Sequence, residues 1–177
     1  MIAPTDDREP AIIATLEPAA YTAVVSGKNG KTGVGLLEIY DLDMPSGSRL
    51  ANISTRGSVL TQENVMIGGF ILGGGNLQPA RVVVRAIGPS LAQSGILNPL
   101  SNPTLELFNG DGLSVAFNDD WQDDAAQAVE LQALNIAPTA PAESAIVAIL
   151  PPGLYTAVVA GQSGTTGVGL IEVYDVQ

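Results

Sequence analysis

The chain contains no cysteine and no histidine. Without cysteine there is no disulfide framework, no thiolate nucleophile and no thiolate zinc site. Without histidine the commonest general base and imidazole metal ligand are missing too. Basic residues are scarce: 7 Lys and Arg against 18 Asp and Glu give a net charge of −11. A nucleic-acid surface needs clustered cations to displace counterions from phosphate, so nucleic acid is excluded as a partner. No apolar run reaches the roughly 18 residues of a membrane helix, so membrane insertion is not expected. The opening Met1-Ile2-Ala3-Pro4 lacks a basic n-region and an apolar h-region, so no signal peptide is read there. It reads instead as a start set inside a longer natural chain. The missing cysteines do not fix the compartment, because many bacterial secreted proteins have none.

What is present is a repeat. Residues 2–43 and 136–177 align without a gap at an offset of 134, with 25 of 42 positions identical. Tyr21-Thr22-Ala23-Val24-Val25 returns as Tyr155-Thr156-Ala157-Val158-Val159, and Thr32-Gly33-Val34-Gly35-Leu36 as Thr166-Gly167-Val168-Gly169-Leu170. The chain therefore holds a partial repeat, 1–43, and a complete unit, 44–177, joined at Asp43-Met44-Pro45-Ser46-Gly47-Ser48. Such a slice comes from a tandem array, an arrangement that is more often structural or adhesive than catalytic.

The composition is 46% hydrophobic with 20 Gly and 12 Pro, which suits an ordered, turn-rich β protein. Short apolar segments bounded by Gly, Pro, Asn and Asp predict strands at about 49–56, 64–73, 80–87, 104–108, 113–118, 145–150, 154–160 and 168–175. The copied segment predicts three more, at about 11–16, 20–26 and 34–41, with Lys28-Asn29-Gly30 supplying a positive-φ turn. Val82-Val83-Val84 reads as a strand covered on both faces. Asp123 to Leu134 carries apolar residues at helical spacing with acidic residues first, which predicts one helix. A further helical turn is expected after Gly88-Pro89-Ser90. The fold class is all-β: an antiparallel two-sheet sandwich of jelly-roll type with one short helix.

Two resemblances follow from the motifs. Arg49-Leu50-Ala51-Asn52-Ile53-Ser54-Thr55-Arg56-Gly57, Val65-Met66-Ile67-Gly68-Gly69-Phe70 and Val82-Val83-Val84-Arg85-Ala86-Ile87-Gly88-Pro89-Ser90-Leu91, with Asn118-Asp119-Asp120-Trp121 and Tyr155 to Asp175, resemble a tandem β-repeat of large secreted or surface proteins of environmental bacteria. That resemblance spans essentially the whole chain and implies an extracellular or cell-surface location. Residues 104–175 are similar to bacterial pre-peptidase C-terminal domains, in their Gly-Asp-Gly turn, Asn-Asp-Asp-Trp and Leu-Pro-Pro-Gly-Leu-Tyr. Those are β-sandwich appendages of secreted enzymes, some of which bind calcium, but this chain carries no protease domain.

Asp111, Asn118, Asp119, Asp120 and Asp123 form the densest set of hard oxygens, with Asp124 close behind and Glu143 further on. Calcium takes six to eight such oxygens, so Ca2+ is the one cofactor considered. An Asx-rich turn that caps the following helix is the favoured reading of the same residues, and the two can coexist. Glu38 and Glu172, with Asp41 and Asp175, read as the solvent face of a strand rather than a catalytic carboxylate pair. The glycines read as turns and bulges, and Ser54 and Ser90 have no histidine and no nucleophile elbow. Arg56, Arg81 and Arg85 lie in apolar strands, and Arg85 reads as a structural fork that ties down a loop. Trp121 and Tyr155 could stack a sugar, but core packing is the more economical reading of so few aromatics. Asn52-Ile53-Ser54 matches a glycosylation acceptor in form only.

No complete nucleophile–base or metal–water set emerges, so no enzyme is expected. The expected function is a structural repeat that pairs with itself through 11–41 and 145–175, head to tail or in tandem. The alternative is a calcium-stabilised carbohydrate- or protein-binding accessory module of a secreted enzyme.

Overall fold

A computed structural model of the protein describes residues 2–42, 50–73 and 78–176. The junction read at 43–48 lies outside them. Two units result, Met1–Tyr40 and Asp41–Gln177.

The second unit contains strands β1 (Asn52–Val59), β2 (Met66–Leu72), β3 (Ala80–Ile87), β4 (Pro103–Asn109) and β5 (Ser114–Asn118), helix α1 (Ala125–Ala133), and strands β6 (Ser144–Leu150), β7 (Gly153–Gly161) and β8 (Gly167–Asp175). Among the described residues they build two four-stranded antiparallel sheets, β1-β8-β3-β6 and β2-β7-β4-β5. Each strand of the first half pairs with its mirror in the second: β1 with β8, β2 with β7, β3 with β6, β4 with β5. A long antiparallel ribbon folded over itself in this way is the double-sheet jelly roll expected from the strand spacing. The strands from 49 to 175 form where the apolar segments predict, with boundaries moved by a few residues.

Period-two alternation aims one face of each strand inward. Leu105 and Leu107 of β4, and Tyr155, Ala157 and Val159 of β7, meet Val82 and Val84 of β3 and Ile146 of β6 in the central core. Val83 points the other way, into a second cluster with Trp121, Ala128, Leu131 and Ala145. That cluster exists because α1 and its flanking segments cover the outer face of the first sheet. The uninterrupted Val82-Val83-Val84 run is the sequence record of this two-sided burial. Helix α1 starts where Asp124 accepts hydrogen bonds from the amides of Ala126 and Gln127, the usual N-cap arrangement. The turn expected after Ser90 is a short 3-10 stretch, Pro89–Ser94.

The first unit departs from expectation. Among its described residues no strand forms at 11–16, 20–26 or 34–41, and the single regular element is the 3-10 turn Lys28–Gly30. The pairing pattern supplies the reason. In the second unit β6, β7 and β8 pair with β1 to β4 and, among the described residues, never with one another. Their copies in 11–41 therefore have no hydrogen-bonding partner within their own segment. No three-stranded sheet forms among the described residues of this unit.

The local geometry of the copy is nevertheless that of the original. Asn29 and Gly30 adopt φ of 59° and 72°, as Ser163 and Gly164 adopt 54° and 78°. The Tyr21 hydroxyl donates to the Glu17 carbonyl at 2.8 Å, as Tyr155 does to Pro151 at 2.9 Å. The Tyr40 hydroxyl donates to Glu38 at 2.9 Å, as Tyr174 does to Glu172. The Glu9 amide donates to the Asp6 carbonyl at 3.0 Å, as Glu143 does to Ala140 at 3.2 Å.

The matched pair Ile12 and Ile146 separates sequence from environment, because Ile12 is 91% exposed and Ile146 only 3%. Ile146→Ala should cost about 2–5 kcal/mol in urea unfolding. Ile12→Ala should stay within about 0.5 kcal/mol of the parent.

Candidate functional site

The chemistry of this chain is concentrated along the seam where β6 to β8 close the sandwich. Glu143, fully buried, stands one residue before β6. One of its oxygens accepts from the Gly88 amide at 3.1 Å, the Ser90 amide at 3.0 Å and the Ser90 hydroxyl at 2.6 Å. The other accepts from the Ala140 amide at 3.2 Å. The 3-10 turn after β3 creates this cradle by turning successive amides toward one point. Gly88 is required there, since a Cβ would lie 2.2 Å from the Leu100 carbonyl oxygen. A serine beside a carboxylate resembles the start of a nucleophile–base pair, but this carboxylate is sealed and its lone pairs are spent on structural donors. The assembly is a latch.

Arg85 of β3 forms the second anchor. Its Nε donates to Glu172 at 3.0 Å, and Nη2 reaches the same carboxylate oxygen. Nη1 donates to the Ile136 carbonyl at 2.6 Å, and Nη2 to the Tyr174 hydroxyl at 2.9 Å. The guanidinium also lies over the Tyr174 ring, 5.1 Å from its centroid. This is the fork expected of Arg85, joining β3 to β8 and to the segment after α1. Glu172 corrects an expectation: it is buried rather than on a solvent face, because α1 and its flanks cover that side of the sheet. Tyr174 is pushed above the usual phenol range by burial, and the nearby Glu172 carboxylate adds to the shift while Arg85 opposes it. Arg81 reaches Glu130 of α1 in a more exposed pair, and Arg56 is exposed on β1.

Strand β6 is a sheet edge, and side chains satisfy its free backbone groups. Gln127 of α1 donates to the Ala145 carbonyl at 3.1 Å and accepts from the Val147 amide at 2.6 Å. Asn118 accepts from the Ala145 amide at 2.9 Å. The Ser144 hydroxyl donates to the Pro103 and Asp119 carbonyls. An open edge templates pairing with other chains, and this one is covered. Gln127 carries no sequence signal for that task.

The five candidate cation ligands are divided. Asp111 sits on the β4–β5 turn, while Asn118 ends β5 at the opposite end of the hairpin, opposite Leu105. Asn118 spends its side chain on Ala145 and on the Asp120 carbonyl at 2.9 Å, and Asp119 accepts from Gln162. Asp124 caps the helix. Asp119 and Asp123 line an open depression of about 350 Å³ together with Phe117, Asn118 and Gln127. Among the described residues no group of three or more His, Cys, Asp or Glu is placed to hold a metal ion. Asp120 is under strain: its Oδ1 is sealed from solvent without a partner. Burial, then Asp119 and Asp123, raise its carboxyl above the usual range.

Trp121 and Tyr155 are each 6% exposed. The Trp121 indole N–H donates to the Ala140 carbonyl at 3.2 Å, and Tyr155 stacks on Phe70 with centroids 5.5 Å apart. Both belong to the cores, so neither offers a platform to a sugar.

No family model matches this chain, and no curated protein does. Among solved structures it is similar to the pre-peptidase C-terminal domain of a collagenase from Bacillus anthracis. The identity is 14% and the TM-score 0.39, over 69% of this chain and 88% of that one.

Removing Arg85 leaves Glu172 buried without its counter-charge. Arg85→Ala should therefore cost about 3–5 kcal/mol in chemical denaturation. Asp120 gives a pH test. A carboxyl raised in the folded state weakens the fold once it ionises, so stability falls as pH rises past the ordinary value of 3.8. Asp120→Asn should raise the melting temperature at pH 7 in calcium-free buffer, and the gain should vanish at pH 3. If the loop holds a cation, millimolar calcium should reverse the order of the two proteins.

Proposed function

We propose that this protein is a non-catalytic building block of an extracellular or cell-surface array, in which three-strand segments complete sandwich bodies of the same design. The observation that carries this reading is the pairing pattern. Strands β6 to β8 complement β1 to β3 and have no partner among themselves, while a second copy of them, 11–41, presents its apolar side chains to solvent. Val34 and Leu36, for example, are 94% and 82% exposed.

Counting supports an array over simple exchange between copies. Each chain brings one body and two closing segments, so strand swapping between identical chains always leaves one segment per body uncovered. An array that alternates segment and body ends at most one segment over, whatever its length. In such an array 11–41 closes a body of the same kind, and contiguous units stack as in other repeat proteins. The acidic, cysteine-free composition suits a soluble extracellular life, and the polar groups of the seam are spent on closure rather than catalysis.

Solution size tests the reading. The full chain should associate with rising concentration through its uncovered segment, as measured by light scattering, while a chain lacking residues 1–43 stays monomeric. Equal association of the two would remove complementation as its basis.

A further inference from the structure

We infer that residues 9–41 are an alternative closing segment for the body of this same chain, competing with residues 143–175 for one slot. The inference rests on the complementation reading above and names the body that accepts the copy.

Three observations converge. The first is identity at the surface that matters. Twelve residues of 143–175 are buried, and ten of their counterparts in 9–41 are the same amino acid. Both latch carboxylates are among them. Glu9 corresponds to Glu143, which fills the Gly88–Ser90 cradle, and Glu38 to Glu172, which pairs with Arg85. The second is preformed geometry. The turn before Glu9, the Tyr21 hydrogen bond, the 28–30 turn and the Tyr40–Glu38 contact already match the closed segment. These turns and contacts need no reordering on docking, while the strands themselves would form there.

The third is connection. The end of β8 lies beside the start of β1: Tyr174 is paired with Asn52, and the Asp175 amide donates to the Ala51 carbonyl at 3.1 Å. With 9–41 in the slot, Asp41 takes the place of Asp175. The ends to be joined would then lie on neighbouring strands, a gap of about 5 Å. Nine residues, 42–50, reach several times that far. Chain length therefore allows the inferred closure from the N-terminal side.

The two segments differ at a buried position that sets the balance. Ser144 donates its hydroxyl to the Asp119 and Pro103 carbonyls. Its counterpart, Pro10, has neither a hydroxyl nor a backbone N–H. The slot therefore favours 143–175 while leaving 9–41 as the reserve. Closure by the reserve releases 143–175 to close a body elsewhere, which lets an array shift its register by one unit.

The absence of cysteine gives a clean test on the full chain. Ser58 on β1 faces Val168 on β8, and Val34 is the counterpart of Val168. In the triple variant Ser58→Cys, Val34→Cys, Val168→Cys, refolded from urea at low concentration and then oxidised, the thiol introduced on β1 chooses one of the other two. Cross-strand neighbours are within disulfide reach. Peptide mapping reads the ratio of 58–34 to 58–168 links. The expected result is a minor monomeric 58–34 product whose share rises about fivefold with Pro10→Ser and falls on the order of tenfold with Glu9→Gln. Both substitutions lie outside the sandwich, so neither can prevent it from folding. A 58–34 link that never forms, even with Pro10→Ser, overturns the inference. So does one that forms only between chains, or one whose share ignores both substitutions. None of these outcomes touches the array reading, which stands or falls on the association of the full chain.

Discussion

Everything in this molecule depends on where the backbone hydrogen bonds of its last three strands go. In this jelly-roll ribbon β6 satisfies its amides against β3, β7 against β2 and β4, and β8 against β1 and β3, never against one another among the described residues. A buried unpaired backbone group costs as much as a lost hydrogen bond. The sequence from 143 to 175 is thus an ordered structure only in the presence of a body, and the same words at 9–41 remain without strands. Identical strand propensity yields two outcomes because propensity was never the deciding term.

The polar anchors of the seam extend that constraint from pairing to register. A one-residue slip in a β-ladder turns the whole apolar set to the wrong face. Glu143 in its cradle of amides and Glu172 against Arg85 both fix the closing strands against β3 and the turn that follows it. Each carboxylate lies where a slipped strand would strand a buried charge, and that penalty exceeds anything an apolar contact imposes. The same logic explains the edge of β6, where Gln127 and Asn118 supply hydrogen bonds that another chain would otherwise supply. At that one edge, side chains of the same molecule occupy the backbone groups that would otherwise be open to pairing.

Much of this was legible in the sequence, for physical reasons. Period-two alternation, bounded by glycine and proline, marks strands because one face of each must be dry. The Val82-Val83-Val84 run announces two-sided burial, and Asp124 announces the start of α1, as its N-cap rather than within the first turn, which carries no acidic residue. Other features could not be read. The acidic residues cluster in sequence, and the division among them is visible only in the fold: β5 ends with Asn118 turned to the Ala145 backbone, and Asp111 is carried to the far end of the hairpin. Glu172 looks exposed because its neighbours alternate, but Arg85, Tyr174 and the segment after α1 enclose it. Glu143 and Gln127 carry little local signal, since most of their partners lie 18 to 55 residues away. The absence of strands in the first segment is the clearest case: strand existence there is decided by the availability of a mirror, which no window of sequence contains.

Order of synthesis gives the duplicated segment a further consequence. The ladders of this fold are non-local, from the pairing of Val82 with Asp175 to that of Asn52 with Tyr174. Non-local pairing is slow, and unpaired strand edges are open to wrong partners while it waits. A ribosome completes residues 52–118 before 143–175 exist, so β1 to β3 emerge with their amides unanswered. The copied sequence 9–41 is by then already made. In the alternative closure inferred above, it would shield the open edges during that interval, until 143–175 is made. In a tandem array every segment would take both parts in turn, shield to the body that follows and permanent closure to the body that precedes.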